Sequence, residues 1–436
     1  MNRQPARLLW LCSFVLMFMI GMTSPARAQR TLVHAGTLID GISDKTQNNI
    51  TLIVEKGRII AIEKGFTAAK TNDKIIDLKN KFVLPGLMDM HTHLSGQTEK
   101  AGYLKRFQLY PPEQALAATQ YLKNTLMAGF TTVRDLGGGE GVDLALRNAV
   151  NRGDIIGPRM LVAGKSLAVM GGHADPTNGF REDILGLPGI EEGVINGVES
   201  ARTATLLAIK RGADWVKITA TAGVLSLSGN AQNPQFTEEE IRAIVNTAAD
   251  FGRKVAAHAH GAEGAKRAIR AGVASIEHGT FMDDETMALM KQHSVYWVPT
   301  ITAGKSVADS AKIPGYYSPI VVPKALSIGP MIQETFRKAY KAGVPIAFGT
   351  DAGVFRHGRN AVEFQYMVEA GMPPLAAIKS ATYHTAKLLG KLDELGTLEA
   401  GKIADIIAVA ADPLQDIKAL QQVAFVMKEG VVYKNE

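Results

Sequence analysis

Cysteine is almost absent from this chain, since Cys12 is the only one among 436 residues. It lies in an N-terminal segment that we expect to be removed, so the mature protein would contain neither a disulfide nor a thiolate metal site. Any metal ion would have to be held by histidine nitrogen, carboxylate oxygen or a less ordinary ligand.

Long apolar runs are also scarce, and the one at the N-terminus is short for a membrane anchor. Leu8–Met22 falls below the roughly 20 residues that span a bilayer. Arg3 and Arg7 precede this run and Ala26-Arg27-Ala28 follows it, which is the order of a secretory signal peptide. We predict a signal peptide at residues 1–28, cleavage after Ala28, and export to the bacterial periplasm or the extracellular space without membrane attachment.

Basic runs with interleaved aromatic residues are missing, which argues against nucleic acid as a partner. The formal charge of +6 is partly a property of the leader, because residues 1–28 hold three arginines and no acid. Removing these 28 residues from 436 leaves 408 with a charge of +3. No glycine-rich phosphate loop follows the first strand of the central region, which disfavours a doubly wound open sheet.

Short apolar segments separated by turns occupy both ends of the mature chain. They are Thr31–Gly36, Thr51–Val54, Arg58–Ile62, Leu395–Leu398, Asp405–Val409, Val423–Met427 and Val431–Tyr433. We predict that residues 29–84 and 386–436 close into one small composite domain that resembles a β-sandwich.

Between these ends, in residues 85–385, apolar strands alternate with longer helical stretches. The eight candidate strands are Leu87–His93, Thr131–Asp135, Met160–Ala163, Trp215–Thr219, Val255–His260, Ser275–His278, Tyr296–Ile301 and Pro345–Asp351. The clearest helix is Glu238–Asp250, with Thr237 as its cap. The pattern predicts an α/β fold, a (β/α)8 TIM barrel, whose functional groups stand at the C-terminal ends of the strands.

Ionisable side chains end five of these strands or lie within them. They are His91 and His93, Lys217, His258 and His260, His278, and Asp351. A strand alternates faces with period two, so both members of each His-x-His pair point the same way. One strand-end histidine alone is more often a hydrogen-bonded core residue than a ligand. Five of the chain's ten histidines at three strand ends instead indicate a metal centre.

The segment Pro85-Gly86-Leu87-Met88-Asp89-Met90-His91-Thr92-His93 resembles the opening motif of the amidohydrolase superfamily. The order His-x-His, Lys, His, His, Asp is similar to that of its binuclear metal enzymes. The segments around His173, Lys217, His258 and Asp351 resemble one branch in particular. That branch contains Xaa-Pro dipeptidase-like and imidazolonepropionase-like enzymes and the ochratoxin-hydrolysing amidohydrolases. Ala222 departs from the glycine expected after the fourth strand.

This resemblance implies two divalent metal ions, Zn²⁺ being the expected identity. The implied ligands are His91, His93 and Asp351 for one ion, His258 and His278 for the other, and a Lys217 carbamylated by CO2 that bridges both. The resemblance also implies that a metal-bridging hydroxide attacks the substrate and that Asp351 passes its proton to the leaving nitrogen.

Several loop residues are candidates for substrate contact. His173 would donate to the scissile carbonyl or its oxyanion, or would be a solvated loop residue. His260 would be a supporting or substrate contact, and Val224 and Leu225 would form an apolar wall. The cluster Arg356, His357 and Arg359 would receive a substrate carboxylate, or would only be a solvated loop.

We therefore expect an amidohydrolase that cleaves an amide or peptide bond next to a free carboxylate. N-acyl amino acids, Xaa-Pro-type dipeptides and ochratoxin-like amides are the expected substrate classes, and family resemblance alone implies a homo-oligomer. A cyclic-amide hydrolase of the imidazolonepropionase type or a lactonase would use a similar centre. Lys217 counts against a mononuclear deaminase, and the complete ligand set counts against a non-catalytic scaffold.

Overall fold

The computed structural model describes residues 29–100, 102–227 and 229–436. The predicted leader at residues 1–28, with its cleavage site after Ala28, lies outside them. In the part of the chain that is described, no helix is long and apolar enough to cross a membrane.

Strands and helices follow one another along the described chain. The strands are β1 (Thr31–Leu38), β2 (Gln47–Glu55), β3 (Arg58–Lys64), β4 (Lys74–Pro85), β5 (Leu87–Thr92), β6 (Phe130–Asp135), β7 (Arg159–Val162), β8 (Ala168–Val169), β9 (Val194–Ile195), β10 (Trp215–Thr219), β11 (Lys254–Gly261), β12 (Ser275–Phe281), β13 (Tyr296–Val298), β14 (Ile406–Val409), β15 (Val423–Lys428) and β16 (Val431–Asn435). The α-helices are α1 (Lys105–Gln108), α2 (Pro111–Met127), α3 (Val142–Arg152), α4 (Glu182–Leu185), α5 (Val198–Lys210), α6 (Glu238–Asp250), α7 (Ala262–Ala271), α8 (Asp284–Gln292), α9 (Ile301–Ala311), α10 (Val321–Lys341), α11 (Val362–Glu369), α12 (Pro374–Ser380) and α13 (Tyr383–Leu389).

The two ends of the chain meet in a seven-stranded sheet of order β16-β15-β14-β4-β1-β2-β3. Leu84 of β4 lies opposite Ile407 of β14, so β4 joins the N-terminal strands to the C-terminal ones. Val33 of β1 and Leu52 of β2 lie opposite each other and are buried in its core. The hydrogen bonds join these strands in one sheet where we predicted a sandwich-like arrangement. The domain limits remain a prediction, and the limit at residue 386 falls inside α13.

The central region contains two parallel sheets, β5-β6-β7 and β10-β11-β12-β13. Their strands are buried on both faces because helices cover them, as parallel sheets require. Single parallel bridges extend the pairing, from Leu167 to Ile218, from Trp297 to Ile346 and from Thr92 to Ala352. These bridges connect the two sheets and the segment 345–352 into one mixed α/β unit.

The seventh and eighth predicted strands are shorter than expected. The seventh ends at Val298, because Thr300 takes a left-handed backbone with φ of 54° and Ile301 begins α9. The eighth, Pro345–Asp351, has no regular strand pairing and is held by the bridge at Ile346 and the neighbouring one at Ala352.

Helix α6 confirms the prediction of residues 238–250 and its cap. The Thr237 hydroxyl accepts a hydrogen bond from the amide of Glu240, and the Glu240 carboxylate accepts one from the amide of Thr237. This reciprocal capping box satisfies two amides that the first turn of a helix leaves without partners.

Candidate metal centre and substrate cavity

The C-terminal ends of the parallel strands open into a cavity of about 230 Å³. Residues far apart in the chain converge here because parallel strands bring these ends to the same side. Its polar lining comprises His91, His93, Ser166, His173, Lys217, Thr219, His258, His260, His278, Thr300 and Asp351. The structure therefore brings together every metal ligand and catalytic residue expected from the sequence.

His91 and His93 present the same ring nitrogen to one carboxylate. Nδ1 of His91 lies 2.9 Å from Oε2 of Glu277, and Nδ1 of His93 lies 3.0 Å from the carbonyl oxygen of Gly137. Both acceptors place the proton on Nδ1, which leaves the lone pair on Nε2. The two Nε2 atoms lie 3.6 Å and 3.2 Å from Oδ1 of Asp351.

Asp351 is held in place by its backbone. It adopts a left-handed φ of 60°, and its amide donates a 2.7 Å hydrogen bond to the carbonyl of His91. Its buried Oδ1 makes no hydrogen bond of regular geometry within the described chain. Burial alone raises the pKa of Asp351, but the neighbouring His91 and His93 lower it below its usual value. Burial alone lowers the pKa of His93, but the Asp351 carboxylate in turn raises it above its usual value. A positive charge between this oxygen and the two ring nitrogens, either a proton or a metal ion, is therefore stabilised here.

Lys217 stands beside this group on β10 and is buried. Its Nζ lies 3.4 Å from Nε2 of His91. Burial lowers the pKa of Lys217 to about 8, although the carboxylates of Glu277 and Asp351 act in the opposite direction. The position therefore favours the neutral amine more than water does.

Four histidine rings pack against one another on the other wall. The centroids of His173 and His258 are 4.4 Å apart, those of His258 and His278 are 4.6 Å apart, and those of His260 and His278 are 4.9 Å apart. Burial, reinforced by nearby positive groups, lowers the pKa of His173 to about 4 and that of His260 to about 3. The same causes lower the pKa of His258 and His278 well below the usual value. A neutral imidazole has a ring nitrogen lone pair that is available to a metal ion.

His278 and its neighbour Glu277 both point inward, which regular strand alternation would forbid. The exception arises because His278 has a left-handed φ of 72°. Its Nδ1 lies 2.8 Å from the hydroxyl of Thr300, and its carbonyl accepts a 3.0 Å hydrogen bond from Trp297. The sequence analysis missed Glu277 for this reason.

The residues present fit a metal ion. One ligand atom each from His91, His278 and Asp351 lies within 4.8 Å of the other two. His93, Lys217 and His258 line the same cavity. Imidazole and carboxylate donors without sulfur suit a divalent first-row ion.

A buried layer of polar side chains supports His91 from below. Glu277 receives hydrogen bonds from Arg134 at 2.8 Å and Ser275 at 2.5 Å, and Arg134 also lies over the ring of Trp215, 4.5 Å from its centroid. Arg134 and Glu277 are shut off from solvent. This pairing satisfies both charges in the interior.

A second buried network fixes the segment that carries Asp351. Asp89 accepts hydrogen bonds from the hydroxyl of Thr350 at 2.6 Å, from Asn360 at 2.7 Å and from the amide of His91 at 3.0 Å. The carboxylate thus ties the first strand to the irregular eighth segment. Strand alternation places Asp89 on the same face as His91, but its distant partners Thr350 and Asn360 became visible only in the fold.

The predicted substrate residues divide into two groups. His173, His260, Val224 and Leu225 line the central cavity, together with the apolar residues Val307, Ile328 and Ile332. The nitrogen Nδ1 of His173 is buried and has no hydrogen-bond partner among the described residues. His173 is therefore not the solvated loop residue that we considered.

The cluster 356–359 lies outside the central cavity, and within it His357 does not take the substrate-binding role that we predicted. His357 is buried, its Nε2 lies 2.8 Å from the carbonyl of Gly96, and its ring stacks on Tyr121 at 4.8 Å. His357 therefore packs against Gly96 and Tyr121 and does not line the central cavity. Arg356 and Arg359 border a separate cavity.

The fold and this set of residues define an amidohydrolase. Residues 82–433 match the pattern described as the amidohydrolase family. The chain therefore belongs to this family and is a hydrolase that acts on C–N bonds. This match confirms the resemblance inferred from the motif at residues 85–93.

Known relatives align over nearly the whole chain. Ochratoxinase from Aspergillus niger is 32% identical over 438 residues, which cover 95% of this chain and 88% of the relative. A solved structure described as a Xaa-Pro dipeptidase with methionine bound in the active site is 51% identical, with a TM-score of 0.91 and coverage of 93% of this chain and 100% of that chain. A prolidase in complex with N-methylphosphonate-L-proline is 30% identical, with a TM-score of 0.85 and coverage of 94% and 100%. These neighbours imply a TIM-barrel-like α/β domain, and the family is typically metal-dependent.

Proposed function

We propose that this protein is an exported, binuclear metal-dependent amidohydrolase that cleaves an amide or peptide bond next to a free carboxylate. The observation that carries the proposal is the convergence of His91 and His93 on Oδ1 of Asp351, at 3.6 Å and 3.2 Å. The scaffold would be a closed (β/α)8 barrel, and the bridges from Thr92 to Ala352 and from Trp297 to Ile346 support its closure.

The proposed centre contains two divalent ions, Zn²⁺ in the first instance. His91, His93 and Asp351 would hold one ion, His258 and His278 the other, and a carbamylated Lys217 would bind both. When bound, the ions would lower the pKa of a water molecule and polarise the scissile carbonyl.

Carbamylation of Lys217 would give the centre an anionic ligand. The ammonium group first loses one proton; the neutral amine then adds to the carbon of CO2 and loses a second proton, so a cationic side chain becomes an anionic carbamate. Burial lowers the pKa of Lys217 to about 8, which favours the reactive amine. The change also removes a positive charge that would otherwise lie 3.4 Å from Nε2 of His91.

Asp351 and His173 would perform the proton transfer and the oxyanion contact. Asp351 would accept a proton from the attacking water and deliver it to the leaving nitrogen. His173 would donate a hydrogen bond to the carbonyl oxygen as negative charge develops there. Its backbone is fixed by a 2.8 Å hydrogen bond to Gln235, and His260 would contact the substrate beside it.

The substrate classes that we propose are N-acyl amino acids, Xaa-Pro-type dipeptides and ochratoxin-like amides. The apolar wall formed by Val224, Leu225, Val307, Ile328 and Ile332 would receive an apolar side chain. The relatives named for Xaa-Pro dipeptides, for a proline phosphonate and for ochratoxin support these classes.

Metal analysis together with a substrate panel tests this function. The panel would contain Met-Pro, N-acetylmethionine and ochratoxin A, each beside an analogue whose carboxylate is amidated. We expect bound zinc, loss of turnover in chelator, and faster hydrolysis of the free acids. Purified protein without bound metal and with full activity in chelator would contradict the centre, and equal rates on acids and amides would remove the carboxylate requirement.

Export and assembly remain proposals that need their own measurements. We propose cleavage after Ala28, a composite end domain at residues 29–84 and 386–436, a barrel at 85–385 and a homo-oligomer. Mass spectrometry of the secreted chain would locate the new N-terminus. Light scattering of the purified protein would give the oligomeric state.

A further inference from the structure

A second cavity, of about 490 Å³, adjoins the catalytic one. Residues 97–100 after β5, one face of α9 and the segment 354–359 border it. Val354 lines both cavities and therefore stands between them. We call this second cavity the basic chamber.

Uncompensated positive charge distinguishes the basic chamber. Its cationic side chains are Lys100, Lys305, Arg356 and Arg359. Within the described residues none of these four forms an ion pair. The two acids that border the chamber are engaged by other lysines: Glu99 pairs with Lys105 at 2.6 Å and Asp309 pairs with Lys312 at 2.7 Å. The four cations are thus left to face an outside anion.

The central cavity offers no comparable lysine or arginine to an anion. Among its described lining residues, Lys217 is the only lysine and there is no arginine. Lys217 belongs to the proposed metal centre, so it is not available to the substrate. Its volume of about 230 Å³ also lies below the roughly 300–1,000 Å³ of most small-molecule sites. A larger substrate would therefore extend beyond it.

The basic chamber is the neighbouring space with complementary charge. Arg356 and Arg359 lie five and eight residues after Asp351 along the same segment, so they border the side of the site that carries the proposed proton donor to the leaving nitrogen. A guanidinium group binds a carboxylate through paired hydrogen bonds. Lys305 is oriented by its contact with Tyr366, with Nζ 4.7 Å from the ring centroid.

Building on the proposed amidohydrolase function, we propose that the basic chamber binds a second carboxylate on the leaving portion of the substrate. The enzyme then favours amides that release an acidic amino acid, such as Xaa-Glu, over their neutral isosteres.

Hydrolysis of Met-Glu and Met-Gln tests this inference, because the two dipeptides differ chiefly in one charge. We expect the wild type to favour Met-Glu about tenfold in kcat/KM at low salt, and the variant with Arg356→Gln and Arg359→Gln to discriminate less than about twofold. The matched control carries Lys338→Gln and Lys341→Gln, two exposed lysines at the C-terminal end of α10. That end of α10 leads into the start of the eighth segment, at the opposite end from Asp351 and the cavity, so the control should keep the preference.

Calorimetric binding of free glutamate and glutamine gives a second readout that needs no turnover. Equal kcat/KM for the two dipeptides in the wild type would overturn the chamber's role and leave the proposed function standing. If neither dipeptide is hydrolysed, the proposed function fails for this class. The chamber then stands if glutamate binds more tightly than glutamine and the arginine variant loses that preference, and it falls if the two amino acids bind equally.

Discussion

Nδ1 of His91 lies 2.9 Å from Oε2 of Glu277, and both side chains are excluded from solvent. Burial alone raises the pKa of Glu277, but Arg134 and His91 lower it to about 2. Glu277 is therefore a fixed anion that holds the proton on Nδ1 and turns Nε2 towards the cavity. A carboxylate behind a ligand histidine commonly sets the orientation and basicity of that ligand.

Replacing Glu277 should weaken metal binding before it affects any substrate contact. We expect Glu277→Gln to lower metal affinity about 10- to 100-fold, because the amide no longer fixes the His91 tautomer. Competition with a chromophoric chelator would measure the change.

The Glu277→Gln variant also leaves the buried Arg134 without its negative partner, so a control must separate lost stability from lost metal affinity. Leaving one charge of a buried pair costs about 3–5 kcal/mol of folding free energy. Adding Arg134→Met should restore stability while metal affinity stays low. If metal affinity returned with stability, Glu277 would have only a structural role.

Lys217→Ala should abolish turnover and leave the chain folded, because it removes the proposed bridging ligand without adding bulk. Propionate should restore part of the activity by placing a carboxylate in the space that the side chain leaves. Labelled bicarbonate followed by NMR should show a carbamate carbon in the wild type and none in the variant. A variant with near-wild-type rates would rule out the bridge.

Asp351→Ala should lower kcat by at least about 100-fold, because it removes both the proposed proton carrier and a ligand oxygen. Circular dichroism should show an intact fold, since the hydrogen bond that the residue makes to His91 comes from its backbone amide. Steady-state kinetics on the best substrate of the panel would measure the loss. Unchanged kcat would remove Asp351 from the mechanism.

Gly223 leaves room for the ring of His173. A Cβ at this position would lie 2.1 Å from Cε1 of that ring, so Gly223→Ala must displace it. We expect lower kcat with unchanged metal content, measured by kinetics and elemental analysis. Gly139→Ala is the matched control, because a Cβ there meets nothing within 4 Å. Equal activity of the two variants would show that the position of His173 does not matter.

Glu363 should make stability depend on pH. Its carboxylate accepts hydrogen bonds from the amides of Ile301 and Thr302, yet burial raises its pKa from 4.5 to about 8. The native state then keeps a proton that the unfolded chain releases, so the free energy of unfolding falls as pH rises from about 4.5 to about 8, by at most about 1.4 kcal/mol per unit. Urea unfolding of the wild type and of Glu363→Gln would measure this, since the variant lacks the ionisation. A difference between the two that is constant over this range would contradict the shift.

Strand alternation together with the family resemblance found most of the site. His91 and His93, and likewise His258 and His260, point the same way because each pair is two residues apart on a strand. The order of these residues along the chain then indicated which strand ends meet. The side chains that regular strands carry could therefore be predicted from the sequence.

The parts of the site that were not predicted depend on irregular backbone, which a periodic sequence pattern does not indicate. Glu277 was not predicted because regular alternation places adjacent residues on opposite faces of a strand, so an inward His278 implies an outward Glu277. The left-handed φ of 72° at His278 breaks that alternation, and both side chains point inward. Asp89 holds the eighth segment through Thr350, which lies 261 positions later in the sequence. The local sequence around either residue does not indicate such a contact. The loop after Asp351 shows the same limit: His357 is packed on Tyr121, although Arg356 and Arg359 of the same loop are exposed.

The seven-stranded sheet has a consequence for how the chain is made. Strand β4 is followed directly by β5, the strand that carries His91. In the sheet, β4 pairs with β1 along one edge and with β14 along the other. Because synthesis proceeds from the N-terminus, that edge stays open until the last part of the chain has emerged. The strand that leads to the proposed metal ligands is thus paired last along this edge, and a chain that stops short of residue 406 would present an unpaired strand edge to other chains.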